Sequence, residues 1–391
     1  MDWDFDAYDE SVMRQRRSLK WTMTPPDAMI PRSDEPFAGH GVAEMDFGTA
    51  PVVRDALTRA IDEGFLGYMP QWLRAETIDA TAHFYSRRFD WEIDPASISL
   101  ASSVLDGLRA MLRGMIPPHS TVIVPTPAYK MFLLIPPRLG HRVIEVPSVM
   151  DEAGLWHLDY EAIDAVAQDA ELLILCNPWN PVGRILTEDE LRQVGEIAQA
   201  HDLLVFSDEI HSPLVPDPAQ FVPYVTVDPS FGAHTVTAVA ASKGFNVAGL
   251  ACAQMIVSDD CVTWAEGAQH LGYPTPLGAL AATTAYRMGE PWLDALNEYV
   301  VGNIDLVDDL LEGSPLHWTR PDGTYLGWID ASALGVEDPA RVFFDSTGVM
   351  LDAGIVCGQS YEQYVRMNLA SSRAIVKRSV SRMLDVVKAH S

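Results

Sequence analysis

Short apolar runs recur along this chain, and between them lie stretches in which apolar residues return every three or four positions. The runs at 97–100, 121–124, 142–146, 172–176, 203–207, 235–239 and 253–257 predict strands. The periodic stretches predict helices over 104–115, from near Tyr129, and over 188–200, the last started by Thr187. Helices are also expected over 51–64, with Pro51 in its first turn and Gly64 at its end, over 73–89 and over 276–288. Strands that are apolar throughout, set between amphipathic helices, suit a parallel sheet covered on both faces.

Beyond residue 288 the pattern changes. A long amphipathic helix over 290–311 leads to a strand at 323–329, a helix at 339–347, a strand at 365–369 and a helix at 372–390. The expected division is an N-terminal arm over 1–46 that joins the small domain, a large domain over 47–288 and a small α+β domain over 289–391. A chain of 391 residues is long enough for this.

A formal net charge of −27 opposes binding to a phosphate backbone, so nucleic acid is not an expected partner. No apolar run approaches the ~20 residues that span a bilayer, so no membrane association is expected. The acidic start, Met1-Asp2-Trp3-Asp4, lacks the basic, then apolar pattern of an export signal. Cys176, Cys252, Cys261 and Cys357 lie far apart without metal-ligand spacing, which fits reduced thiols in a cytoplasmic protein and no metal site. The only lysines are Lys20, Lys130, Lys243, Lys377 and Lys388. That scarcity narrows any search for a reactive amine.

Three successive predicted strands end in polar residues. Asn177-Pro178-Trp179-Asn180-Pro181 follows the first, Ser207-Asp208-Glu209-Ile210-His211 the second and Ala241-Ser242-Lys243-Gly244 the third. Ligands gather at the carboxyl ends of parallel strands. Taken singly, a strand-end Asp is most often a cap, a lone His structural and a lysine a surface residue. Together, an amide, a carboxyl and an amine in this order suit pyridoxal phosphate: Lys243 for the aldehyde as a Schiff base, Asp208 for the pyridine nitrogen and Asn180 for the phenolic oxygen. His211 is placed to reach Asp208 or the cofactor oxygen. Ser102, Ser103 and Val104 open a helix after a strand and so form an anion site for phosphate, to which Ser242 adds a hydroxyl. Tyr129 supplies a ring to stack on the pyridine. Arg366, alone in an apolar strand, matches a substrate carboxylate; an internal salt bridge explains it as well.

These motifs, with Val42-Ala43-Glu44-Met45-Asp46-Phe47, resemble the fold-type I pyridoxal-phosphate enzymes of the aminotransferase class I/II superfamily, and within it the MalY/PatB branch of cystathionine β-lyase-like C–S lyases. The resemblance covers nearly the whole chain. It implies a large domain with a mostly parallel seven-stranded sheet between helices, a smaller α+β domain, and a homodimer in which Tyr68 of Gly67-Tyr68 reaches the neighbouring subunit's phosphate. It also implies catalytic roles for Lys243 and Tyr68, and an amino-acid substrate met by Arg366, Asn180, Trp179 and Glu44. The chain departs from the pattern at Ala240, where relatives carry a hydroxyl, at Ala251, where they carry a basic residue, at Trp179, commonly histidine, and at Glu44, commonly aspartate. The branch implies β-elimination from a cysteine S-conjugate to thiol, pyruvate and ammonia. Transamination, decarboxylation or oxidative deamination of an S-substituted cysteine, and binding of a regulatory partner use the same scaffold and stay open at this point.

Overall fold

A computed structural model describes residues 3–32 and 35–390; Met1, Asp2, Ser33, Asp34 and Ser391, which belong to the expected arm and to the chain's two ends, lie outside them. The seven runs form one sheet from β1 (Ile98–Ala101), β2 (Thr121–Thr126), β3 (Arg142–Pro147), β4 (Leu172–Cys176), β5 (Leu204–Asp208), β6 (Thr235–Val239) and β7 (Ala253–Ile256). Their spatial order is β1-β7-β6-β5-β4-β2-β3. Only β7 runs against its neighbours β1 and β6; β6, β5, β4, β2 and β3 are parallel. The mostly parallel seven-stranded sheet expected from the sequence is therefore present. Every residue of β2 and of β6 is buried, which accounts for their unbroken apolar character.

Helices cover both faces. On one side Val104–Gly114 lies so close to the sheet that a Cβ on Gly107 would stand 2.1 Å from Met255 Sδ. Glycine at that position lets the start of the helix settle against β7 and β5. Ser103 caps this helix by accepting from Asp106 N at 3.2 Å. The helix Glu188–Ala200 starts with a reciprocal capping box: Thr187 Oγ1 accepts from Glu190 N, and Glu190 Oε2 accepts from Thr187 N.

A second, antiparallel sheet joins β8 (His317–Trp318), β9 (Leu326–Asp330), β10 (Asp352–Ala353) and β11 (Tyr364–Asn368) in the order β8-β9-β11-β10. Glu290–Leu311, Pro339–Thr347 and Arg373–His390 are the helices of this region. The strand expected at 323–329 starts later, at Leu326, because Thr324 takes a positive φ of 67° and its N–H turns away to Leu214 O. In the N-terminal arm Ala38–Gly39 pairs in parallel with Val349–Met350. One apolar cluster that includes Phe5, Phe47, Trp292 and Leu369 links the arm to both regions. Among the described residues no helix is long and apolar enough to cross a membrane.

Candidate active site

Parallel pairing puts Cys176 beside Asp208, and Asp208 beside Ala238, so the segments after β4, β5 and β6 emerge along one edge of the sheet. They surround a cavity of about 350 Å³, lined among others by Ser102, Ser103, Val104, Tyr129, Asn180, Asp208, His211, Ser242, Lys243 and Arg366. The sequence motifs thus meet in one place. Ser102, Ser103 and Val104 bring the N-terminus of the helix Val104–Gly114 to the wall, with its first-turn amides and positive dipole end.

Asp208 is buried, and among the described residues the only hydrogen bond to its carboxyl is from Ile210 N to Oδ1 at 3.1 Å. Burial pushes its carboxyl up to about 7, against the pull of the Ile210 amide and of the Lys243 charge. Such a carboxyl gains most from a cationic N–H donor. Lys243 donates from Nζ to Ala43 O at 2.9 Å. Burial, and then the nearby Arg366 cation, lower its amine to about 8, while Asp208 and Glu44 oppose that shift. His211 is buried with Nδ1 unpartnered, and burial together with the Lys243 and Arg366 charges holds its ring well below the usual imidazole range. It makes no hydrogen bond to Asp208; its ring stands 6.2 Å from that of Tyr325. Asn180 Oδ1 accepts from Arg366 Nη1 at 3.0 Å, which leaves the amide Nδ2 as its donor.

These residues fit pyridoxal phosphate on the chain's own evidence. Among the described residues a buried carboxyl with no paired cation, an amine whose one hydrogen-bond partner is a carbonyl, an unpaired imidazole nitrogen and a helix start with hydroxyls all line one cavity. At the helix start Ser102 Oγ donates to the Asp106 carboxylate, which Arg109 Nη1 also holds at 3.1 Å. Ala240 lines the wall without a hydroxyl.

Three expected site residues stand elsewhere. Trp179 does not line the cavity: it is 3% exposed, packs in the core cluster of Trp156, Leu175 and Leu191, and donates from Nε1 to Pro127 O at 2.8 Å. The loop brings Asn180 to the cavity wall and packs the Trp179 indole into the core, away from where a substrate contact was expected. Glu44 also lies off the wall, where Val42 and Ala43 stand instead; its Oε2 accepts from Lys20 N at 3.2 Å, and it acts on Lys243 only through its charge. Tyr68 is fully exposed and takes no part in this chain's cavity.

Other residues at the cavity had no signal in the sequence. Asp352 and Lys130 line it, the carboxylate of Asp352 meeting Arg366 Nη2 and standing 3.6 Å from Lys130 Nζ. The carbonyl of Gly41 accepts from Arg366 Nη2 at 2.9 Å, and that of Ala43 accepts from Tyr325 as well as Lys243. Backbone acceptors carry no sequence signature, and Asp352 sits in a two-residue strand too short for any periodicity.

Comparison with known proteins adds the ancestry. The family model for aminotransferase class I and II matches residues 39–383. A putative cystathionine β-lyase of Mycobacterium tuberculosis is 35% identical over 410 residues, covering 96% of this chain and 95% of that protein. The cystathionine β-lyase of Corynebacterium glutamicum is 32% identical over 96% of this chain and 98% of its own length. Among solved structures, cystalysin from Treponema denticola, which contains pyridoxal 5′-phosphate, superposes with a TM-score of 0.91 at 26% identity, over 100% of both chains.

Proposed function

Because the chain belongs to the aminotransferase class I and II family, we propose that its cavity splits the C–S bond of a cysteine S-conjugate by β-elimination, yielding a thiol, pyruvate and ammonia with uptake of one water. The chain is a pyridoxal-phosphate-dependent C–S lyase related to cystathionine β-lyases. The observation that carries this is the meeting of Lys243, Asp208, Asn180 and Arg366 at one cavity in a chain 35% identical to a putative cystathionine β-lyase.

When bound, pyridoxal phosphate supplies the electron sink for a carbanion at the substrate Cα. The rest falls to the chain. Lys243 would hold the aldehyde, and its amine would be the base that takes the Cα proton and can return it to the leaving sulfur. Asp208 holds the proton on the pyridine nitrogen, a role that needs it ionised and that the ring cation would restore. Asn180 Nδ2 donates toward the phenolic oxygen while its Oδ1 steadies Arg366, and His211 stands on the same wall to assist. Tyr129, on the cavity wall, would offer its ring to the pyridine. The hydroxyls of Ser103 and Ser242, with the backbone of Ser102 and Val104 at the helix start, would hold the phosphate, since the Ser102 hydroxyl hydrogen goes to Asp106. Arg366 takes the α-carboxylate.

The enzyme acts as a cytoplasmic homodimer with shared active sites. The full exposure of Tyr68, with exposed Leu66 and Trp72 beside it, supports a partner on that face, and the Tyr68 hydroxyl then completes the partner's phosphate site. The four free cysteines agree with a reducing compartment.

The test is to incubate the holoenzyme with cystathionine and a set of S-alkyl cysteines and to follow thiol and pyruvate. Equal amounts of both are expected. Conversion of the cofactor to its amine form with no pyruvate would replace elimination by transamination.

A further inference from the structure

The clamp arginine is not free to receive a carboxylate as it stands. A guanidinium has two edges for bidentate docking: its end, with one Nη1 and one Nη2 hydrogen, and its flank, with Nε and the other Nη2 hydrogen. In Arg366, Nη2 donates both to Gly41 O at 2.9 Å and to the Asp352 carboxylate, and Nη1 donates to Asn180 Oδ1 at 3.0 Å. Nε has no partner among the described residues. Both Nη2 hydrogens are thus taken, so neither edge offers two open N–H groups.

One of the two occupants has to give way. The carbonyl of Gly41 is fixed, because the backbone on either side is pinned: His40 N donates to Met350 O at 2.7 Å and Asn368 Nδ2 donates to Val42 O at 2.6 Å. Asp352 is held differently. Its backbone pairs with Arg366 across the sheet, but its carboxylate already stands 3.6 Å from Lys130 Nζ, a side chain 38% exposed and able to follow it. The charges agree. Arg366, Asp352 and Lys130 together carry one excess positive charge, which one ligand carboxylate neutralises.

We propose that Asp352 is an exchangeable counter-ion of Arg366: the incoming α-carboxylate takes the arginine's Nη2 hydrogen, and Asp352 passes to Lys130. Asp352 is thereby a positioning and affinity-setting residue that competes with substrate for the clamp. This rests on the assignment of Arg366 as the carboxylate site.

The test is calorimetric binding of 3-(methylthio)propanoate, a carboxylate with no amine to react, to the holoenzyme. Asp352→Asn is expected to tighten its Kd about tenfold, the order of one charge-assisted hydrogen bond no longer competed away. Lys130→Met is expected to weaken binding by roughly fivefold, because the displaced carboxylate loses its second cation, and to have no effect in the Asp352→Asn background. Weaker binding by Asp352→Asn would overturn the exchange and make Asp352 a fixed support of the arginine. A Lys130→Met effect that persists without Asp352 would also overturn it, since Lys130 would then meet the ligand directly. Should a variant fail to fold, a structure of the wild-type holoenzyme with the ligand decides: Asp352 on Lys130 supports the exchange, and Asp352 still on Arg366 refutes it. Arg366→Lys separates the premise, for unchanged binding there would remove the clamp itself whatever Asp352 does.

Discussion

Asp208→Asn has an effect on stability whose sign depends on the cofactor. In the apoprotein Asp208 titrates at about 7 instead of its ordinary 3.8, because burial penalises its charged form. Above pH 4 the unfolded chain releases this proton while the folded chain keeps it, so the folded state binds more protons and stability falls as pH rises, until both are ionised above about 7. At roughly 1.36 kcal/mol per unit, the loss between pH 5 and pH 8 is about 3 kcal/mol. Asparagine removes it. The Ile210 N–H can still donate to the amide oxygen, and an unpaired Nδ2 costs ~1–2 kcal/mol at every pH, which cancels in the comparison. Apo Asp208→Asn should therefore lose about 3 kcal/mol less than apo wild type between pH 5 and pH 8. In the holoenzyme, where the ring cation stabilises ionised Asp208, that advantage should vanish and cofactor affinity should drop. Urea unfolding of both proteins, with and without cofactor and at one protein concentration, gives the numbers. Parallel pH curves for the two apoproteins would refute the argument. Glu209, also buried and raised to about 8, shifts both proteins in the same direction.

Lys243→Ala should abolish the ~420 nm absorbance of the lysine-linked cofactor, measured after reconstitution; an unchanged spectrum would mean another amine holds the aldehyde. Tyr68→Ala should weaken cofactor retention, and random mixing with Lys243→Ala should restore about a quarter of wild-type activity, because half the dimers are mixed and each has one intact site; no recovery would argue against shared sites. Trp179→Phe should cost about 1 kcal/mol of stability through the lost bond to Pro127 O and leave the ranking of S-conjugates unaltered, a changed ranking being evidence of substrate contact. Lys20→Met, which strands the buried Asp46 carboxylate, should cost about 3–5 kcal/mol in denaturant unfolding.

What was legible in the sequence follows from how strongly each feature imprints a local pattern. Buried parallel strands must be apolar along their whole length, so β4, β5 and β6 announce themselves, and the polar residues that end them are conspicuous by contrast. A loop has no such period. Trp179 and Asn180 are neighbours in one turn, and nothing in their order tells which faces the cavity. The two-residue pairings Val149–Met150 with Trp156–His157 and Ala38–Gly39 with Val349–Met350 exist only through tertiary contact, and the eight-residue helix Tyr160–Ala167 is too short for its period to stand out. Asp352 became visible only when the sheet set it opposite Arg366.

The scarcity of lysine sharpened the search for an amine, yet burial alone would not have finished it. Lys20 is buried as well, at 1% exposure. The difference lies in partners. The Lys20 ammonium meets Asp46 Oδ1 at 3.1 Å, Ser371 Oγ at 2.8 Å and Ala370 O at 3.1 Å, three acceptors for three donors and a full counter-charge. Lys243 has one neutral carbonyl, and a cation, Arg366, among its nearest charges. Burial lowers both amines, but at Lys20 the adjoining carboxylate opposes the shift through both charge and hydrogen bond. The two are also mechanically connected. Lys20 grips Glu44 through its backbone N–H and Asp46 through its ammonium, and the carbonyl on which Lys243 rests belongs to Ala43, the residue just before that grip. A structural lysine, satisfied and inert, thus fixes the segment that aims the reactive one.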